Sequence, residues 1–77
     1  MDELNFYYLP TCPFCQKVLR FMNENGIIID MHSTTEQVNK DFLLANGGKN
    51  QVPCLFIGDK AMYESNDIIA YLRAKFL

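Results

Sequence analysis

Two cysteines separated by two residues are the part of this sequence best suited to chemistry. The segment Cys12-Pro13-Phe14-Cys15 stands where an apolar stretch gives way to a helical pattern. A cysteine at the start of a helix faces unpaired backbone N–H groups and the positive end of the helix dipole, and both favour the thiolate. Cys15 lies about one turn further in, close enough to form a disulfide with Cys12. We therefore predict thiol–disulfide chemistry in which Cys12 attacks and Cys15 resolves.

The cysteine pair has two other interpretations. It could be half of a zinc site, but a structural zinc needs four ligands, and the remaining candidates His32 and Cys54 lie in separate predicted strands. It could also be a structural disulfide, although three cysteines are an odd number and a reducing compartment disfavours stable disulfides. Redox chemistry is the favoured interpretation, with no metal ligands and no bound cofactor expected.

Composition limits the class of protein further. The 77 residues fit one domain over 1–77, and 49% apolar with 13% aromatic residues is a globular balance. A net charge of −2 without a basic tract argues against nucleic-acid binding. No apolar run approaches the roughly 18 residues that a membrane span needs. The N-terminus carries Asp2 and Glu3 where a signal peptide would carry Lys or Arg. We predict a cytosolic monomer.

The first half of the chain reads as strand, helix, strand. Residues 4–9 are apolar and aromatic and predict a strand that Pro10 ends. Pro13 suits the first turn of a helix, and Gly26 suits a left-handed position after its end. The apolar face of this helix is predicted to comprise Phe14, Val18, Phe21 and Met22. The β-branched run 27–29 predicts a second strand covered on both faces.

The second half predicts two more helices and a hairpin. Ser33 and Glu36 have the spacing of a capping box and predict a helix that runs to about residue 46. Strands over 52–57 and 61–63 are predicted on either side of a tight turn. Ser65 is predicted to cap the last helix. The order βαβαββα implies an α/β fold with a four-stranded mixed sheet flanked by three helices, whose first crossover is right-handed.

Val52-Pro53 is the second chemical signal, because a proline that enters a strand from a polar turn can be cis. Only about 5–6% of X–Pro bonds are cis in folded proteins, and a trans proline at a strand start is the alternative. The position of Pro53 after the second helix of a chain with this cysteine pair favours cis. A cis bond there would leave the Val52 backbone free to pair with an extended peptide.

These motifs and this order of elements resemble the glutaredoxin family of the thioredoxin superfamily. The resemblance covers essentially the whole chain and implies a thioredoxin-like fold that binds glutathione as co-substrate. It implies that Cys12 is the nucleophile and Cys15 the resolving cysteine. Phe14 takes the place of the family's usual tyrosine, and Val52 with cis-Pro53 would hold the cysteinyl backbone of glutathione.

The start of the last helix resembles the N-terminal domain of glutathione transferases. The segment 63–69 reads YESNDII, and the resemblance implies that Glu64 and Ser65 hold the γ-glutamyl end of glutathione. A helix start suits a carboxylate, and Glu64 suits an α-ammonium group. The alternative is that these side chains only cap the helix and complement its dipole. The predicted glutathione-binding residues are Pro13, Phe14, Gln51, Val52, Pro53, Glu64 and Ser65.

Two positions depart from the glutaredoxin pattern. Leu9 stands where the family usually has a lysine, and Gln51 stands where it usually has a threonine. The missing lysine removes a contact to the glycyl carboxylate of glutathione, for which Lys49, Lys17 or Gln51 could compensate.

The resemblance favours an enzyme that reduces protein disulfides and protein–glutathione mixed disulfides. One alternative is a thioredoxin-like reductase served by a flavin reductase. A second is an iron–sulfur cluster carrier, against which Pro13 argues because it stiffens the loop. A third, glutathione transferase, is disfavoured because the chain ends just after the last helix.

Overall fold

The structure, a computed structural model, describes residues 3–77. Its elements follow one another as β1 (Leu4–Tyr8), α1 (Pro13–Glu24), β2 (Asp30–Ser33), α2 (Gln37–Gly47), β3 (Cys54–Ile57), β4 (Lys60–Met62) and α3 (Ser65–Phe76). This is the predicted order βαβαββα. No helix among the described residues is both long and apolar enough to cross a bilayer.

The four strands form one mixed sheet in the order β2-β1-β3-β4. β1 runs parallel to β2, with Tyr7 opposite His32. β3 runs antiparallel to β1, with Phe6 opposite Leu55, and β4 runs antiparallel to β3. The predicted four-stranded mixed sheet is confirmed. The parallel β1–α1–β2 unit brings the end of β1 to the start of α1, where Cys12 lies.

Alternating side chains of β1 and β3 divide the interior between the two faces of the sheet. On one face the sheet packs against α1 and α3, which also contact each other. The buried residues on that face are Leu4, Phe6, Val18, Met22, Ile27, Leu55, Ile68 and Leu72. On the other face α2 inserts Leu43, and the buried residues are Tyr7, Leu43, Cys54 and Phe56. Helices therefore cover both faces, as predicted.

The second strand does not lie where the β-branched run predicts it. β2 spans Asp30–Ser33, and it is an edge strand rather than one covered on both faces. Ile27 is buried, but its N–H donates to the Met22 carbonyl at 2.9 Å and so belongs to the exit of α1. Ile28 is 91% exposed. The prediction was wrong because three residues are used to cross from the helix to the sheet.

Neither predicted serine cap is present. Ser33 ends β2, and its hydroxyl accepts the Thr35 N–H at 3.3 Å, so it closes a local turn. Glu36 is the N-cap of α2 and makes no side-chain capping bond, so there is no capping box. Ser65 is the first residue of α3, with Glu64 as N-cap, again without a side-chain cap. Both helices begin with extended N-cap backbones instead.

Helix α1 begins and ends as predicted, but the face that it directs at the core differs in its first turn from the predicted face. Pro13 is its first residue, and Gly26 follows its end with a φ of +64°. Val18 and Met22 are buried, as predicted, but Cys15 takes the innermost place in the first turn. Phe14, predicted to face the core, is 64% exposed.

Candidate active site

Cys12 is the N-cap residue of α1. Its backbone is extended, with φ −80° and ψ 122°, and its carbonyl accepts the Gln16 N–H at 2.9 Å. Its own N–H donates to the Leu9 carbonyl at 3.0 Å, which closes the turn after β1. The side chain makes no capping bond, and the residue is half-buried. The backbone of Cys12 is thus fixed, while the residue stays partly accessible at the positive end of a helix.

Cys15 is fully buried one turn into the same helix. Burial raises the pKa of its thiol to about 12, against an opposing hydrogen bond with the Leu9 backbone. The Cys12 side chain lies close to the Cys15 thiol, and its proximity also raises the pKa of Cys15. The structure therefore holds two free cysteines close together, one half-buried and one buried. In such an arrangement one cysteine can attack a disulfide, and the other can later attack the mixed disulfide that forms.

Most of the residues predicted to bind glutathione line a cleft of about 220 Å³. It is lined by Phe14, Gln51, Val52, Pro53, Tyr63, Glu64, Ser65 and Asn66. Six of these eight residues were predicted from the sequence. The seventh predicted residue, Pro13, lies outside it and lines a separate groove between α1 and α3. The predicted positions converge, while their roles in binding stay predictions.

Val52 and Pro53 line the cleft. The bond between them is cis, as predicted. Pro53 is buried, and Val52 precedes the first residue of β3 by two positions. Within residues 3–77 the Val52 N–H and carbonyl have no hydrogen-bond partner. A backbone with both groups unpaired beside a cleft is suited to pair with an extended peptide.

The start of α3 lines the cleft with Glu64, Ser65 and Asn66. The Glu64 carbonyl accepts the Ile68 N–H at 2.9 Å, and the Glu64 side chain is exposed. Ser65 is 9% exposed, and its hydroxyl does not cap the helix. The first N–H groups of a helix carry partial positive charge and suit a carboxylate. The interpretation of Ser65 as a helix cap is wrong, which leaves its hydroxyl available to a ligand.

Sequence reasoning missed Tyr63 as a wall of the cleft. Its hydroxyl donates to the Lys49 carbonyl at 3.3 Å, and the Lys49 ammonium lies 5.4 Å from the ring centroid. Tyr63 also contacts the Cys54 thiol on its buried side. Because Tyr63 directly precedes Glu64, which was predicted to bind glutathione, its position in the sequence could have indicated that it lines the cleft. Through these contacts a cation, Lys49, is held near the cleft.

The other chemically active side chains lie elsewhere. His32 bonds to the Asn5 amide oxygen at 2.8 Å and stacks on Tyr7, with ring centroids 4.6 Å apart. Cys54 is fully buried, and burial raises the pKa of its thiol to about 11. Among residues 3–77 no three His, Cys, Asp or Glu side chains are grouped to hold a metal ion.

Comparison with known proteins identifies the family. Residues 6–76 match the sequence family described as "Glutathione S-transferase, N-terminal domain". The chain belongs to this family. Glutaredoxin 1 of Rickettsia typhi is 29% identical over 71 residues, which are 88% of this chain and 68% of that protein. The resemblance to glutaredoxins and to the transferase domain is thus confirmed, and it supports a redox or glutathione-related role within the thioredoxin superfamily.

Solved structures agree with this assignment. A glutathione S-transferase from the Antarctic clam Laternula elliptica is 28% identical with a TM-score of 0.75, over 96% of this chain and 35% of that one. A glutaredoxin from Archaeoglobus fulgidus has a TM-score of 0.72 over 95% of this chain and 88% of that one, and at 22% identity it shows the fold alone. The chain therefore spans about a third of the transferase and most of the glutaredoxin.

Proposed function

We propose that this protein is a glutathione-dependent dithiol oxidoreductase that reduces protein disulfides and protein–glutathione mixed disulfides. One observation carries the proposal: a half-buried Cys12 lies close to a buried Cys15 at the start of α1, and Phe14 between them lines the cleft. The cleft offers an unpaired peptide backbone at Val52. It also offers a helix start at Ser65.

The reaction is a pair of exchanges at Cys12. Its thiolate attacks the glutathione sulfur of a protein mixed disulfide, and the protein thiolate leaves and takes up a proton. Cys12 is then joined to glutathione. A second glutathione thiolate attacks that bond, which releases glutathione disulfide and restores the Cys12 thiolate. With a protein disulfide as substrate, the Cys12 thiolate attacks one sulfur, and the other protein sulfur leaves as a thiolate that takes up a proton. Cys15 then attacks the Cys12 sulfur of this mixed disulfide, which releases the second protein thiol and forms the Cys12–Cys15 disulfide. Two glutathione molecules reduce that disulfide and leave as glutathione disulfide.

Each part of glutathione has a partner of suitable chemistry in the cleft. The Val52 backbone pairs with the cysteinyl residue. The Ser65 hydroxyl and the N–H groups of α3 take the γ-glutamyl carboxylate, and Glu64 takes the α-ammonium group. Lys49, held beside the Tyr63 ring, takes the glycyl carboxylate in place of the lysine that Leu9 replaces.

Turnover with glutathione and a glutathionylated substrate tests the proposal. We expect Cys12→Ser to abolish all turnover because no attacking sulfur remains. Cys15→Ser should keep activity on glutathione mixed disulfides, since the second exchange needs only external thiol. The same variant should lose activity on protein disulfides. Turnover that survives in Cys12→Ser would contradict the assignment of the nucleophile.

A thioredoxin-like reductase served by a flavin reductase is the second candidate. Leu9 favours it, because the usual lysine contact to glutathione is missing at that position. The assay separates the two candidates when glutathione and a flavin reductase are supplied in turn. Turnover with the reductase alone would favour the second candidate. An iron–sulfur carrier is tested by the absorption spectrum of protein purified without oxygen. Action in the cytosol and as a monomer stay predictions.

A further inference from the structure

A second and larger depression adjoins the glutathione cleft. It has a volume of about 620 Å³ and lies between α1 and α3. It begins at Pro13, which follows Cys12, and ends near Glu24 and Arg73. Asn66 lines both this groove and the glutathione cleft. We call it the α1/α3 groove; its lining residues are Pro13, Gln16, Lys17, Arg20, Phe21, Glu24, Asn66, Ile69 and Arg73.

The α1/α3 groove is positively charged on a chain whose net charge is −2. Three exposed cations, Lys17, Arg20 and Arg73, line it together with one carboxylate, Glu24. Lys17 donates to the amide oxygen of Asn66. Because an amide is neutral, this bond does not neutralise the positive charge of Lys17.

The floor of the groove is apolar. The Arg73 guanidinium lies 5.2 Å over the centroid of the Phe21 ring, and Phe21 and Ile69 are both half-buried. The ring attracts the guanidinium without neutralising it. The groove therefore combines apolar contact area with unneutralised positive charge.

The length of the groove suits a short segment of polypeptide. From Pro13 to Glu24 the helix rises about 17 Å, which an extended chain of about five residues spans. When a mixed disulfide lies at Cys12, the polypeptide on either side of its protein cysteine would pass directly into this groove. The glutathione half of a mixed disulfide would occupy the cleft on the far side of Asn66.

We propose that the α1/α3 groove docks an acidic segment of the disulfide-bearing protein substrate, beside the cysteine that leaves as a thiolate when Cys12 attacks the disulfide. The inference rests on the proposed function and adds the class of substrate. Cations lining a groove attract acidic segments and repel basic ones, and such steering raises association rates roughly 10–1,000-fold at low salt. The groove thus selects among glutathionylated proteins, whereas the cleft recognises the glutathione that they share.

Two glutathionylated peptides of equal length test the proposal, one with Asp and Glu around its cysteine and one with Lys. We expect the acidic peptide to be turned over with a kcat/KM about tenfold higher, because of charge steering. The double variant Arg20→Gln/Arg73→Gln should lose this preference. The control Lys40→Gln/Lys60→Gln removes the same charge outside the groove and should keep it. Salt at about 0.5 M should also abolish the preference, since screening then acts over a few ångströms.

A small substrate and a binding measurement separate this proposal from the proposed function. The mixed disulfide of glutathione with 2-mercaptoethanol should react equally with the wild type and with both double variants. If it reacts but the two peptides do not differ, docking in the groove is wrong while the function stands. If no substrate reacts, the function fails, and NMR titration of Cys12→Ser with the thiol-free acidic peptide still tests the groove. Shifts confined to α1 and α3 support docking. Shifts that depend only on protein concentration indicate contact between copies and overturn it.

Discussion

At the scale of single residues, burial decides which cysteine can react. Burial raises the pKa of Cys15 to about 12 and that of Cys54 to about 11, so both remain protonated at neutral pH. Cys12 stays partly accessible at a helix start. We expect iodoacetamide at neutral pH to modify Cys12 at least tenfold faster than either buried thiol, because the thiolate is the nucleophile. Mass mapping of the modified peptides measures this order. Modification of Cys54 first would contradict it.

Ser65 gives a second test at this scale, because its hydroxyl caps nothing. Ser65→Ala should therefore lower the free energy of unfolding by less than the loss of a serine cap, which costs about 0.5–2 kcal/mol. Loss of a hydrogen bond to a carboxylate costs roughly 1.5–3 kcal/mol, so the Kd for glutathione should rise at least tenfold. Thermal melting and calorimetric titration measure the two effects.

Ser33→Ala is the matched control for Ser65→Ala. Its hydroxyl closes the turn at Thr35, far along the chain from the cleft residues. We expect it to lower stability and leave glutathione binding unchanged. A Ser65→Ala protein that binds glutathione as tightly as the wild type would exclude Ser65 from the site.

At the scale of elements, the sequence predicts most where a residue's conformation is restricted locally. Pro13 and Gly26 set the ends of α1 correctly because proline fixes φ and glycine permits a positive φ. The run 27–29 was misassigned because β-branched residues are typical of strands, whereas these three residues connect α1 to β2 and only Ile27 of them is buried. Ser33 matched a capping pattern, but its hydroxyl bonds to Thr35 instead. Sequence spacing does not show which of two nearby partners a hydroxyl takes.

In the candidate site, too, the sequence predicted the residues of local motifs and missed a contact between distant segments. The cleft residues at 51–53 and 64–65 belong to motifs that are contiguous in sequence. Lys49 was predicted only as one of three substitutes for the missing lysine, and Tyr63 was not predicted, because their contact joins the loop after α2 to the end of β4, fourteen residues apart. Such contacts depend on tertiary packing rather than on a local pattern.

That contact yields a prediction at the scale of elements. A Cβ added at Gly47 would collide with the Tyr63 hydroxyl. Alanine usually stabilises a helix relative to glycine by roughly 0.5–1 kcal/mol, but overpacking costs roughly 1–3 kcal/mol. We expect Gly47→Ala to destabilise the protein, since the colliding group is packed against Lys49 and Cys54. In a Tyr63→Phe background the same change should be nearly neutral. Urea unfolding of the wild type, Gly47→Ala, Tyr63→Phe and the double variant measures the coupling free energy between the two positions.

Gly48→Ala provides the control for this cycle. Gly48 has a φ of +81°, and nothing lies within 4 Å of an added Cβ. Its substitution should cost about 1 kcal/mol from backbone strain alone. The cost should be the same with Tyr63 or Phe at position 63. Equal coupling for both glycines would show that the collision with Tyr63 is not the cause.

At the scale of the whole molecule, the two faces of the sheet serve different parts of the proposed function. The larger core fixes α1 and α3, which carry Cys12, Cys15 and Ser65. The smaller core lies beneath α2 and holds Cys54 against Tyr63, which lines the cleft. The smaller core contains ionisable groups, whereas the buried residues of the larger core contain none. The stability of the smaller core therefore depends on pH in a way that the packing of the larger core does not.

The pH dependence of stability therefore tests the smaller core. The pKa of Cys54 rises from an ordinary 9.0 in the unfolded chain to about 11, so the folded protein holds this proton more tightly. Its stabilisation is complete below pH 9 and is lost as the pH rises towards 11. Between about pH 8 and about pH 10.5 we expect this thiol alone to remove about 2 kcal/mol. Tyr7 and Tyr63, whose pKa values burial also raises, add to the loss.

Cys54→Ala isolates the contribution of the thiol. The variant should be less stable at neutral pH because it loses packing, yet its free energy of unfolding should fall less steeply above pH 9. Urea unfolding of both proteins at the two pH values measures the difference. Since Cys15 and the tyrosines remain, some alkaline loss persists in the variant. Equal losses in the two proteins would mean that Cys54 ionises as readily when folded as when unfolded, and that the smaller core does not exclude water from its sulfur.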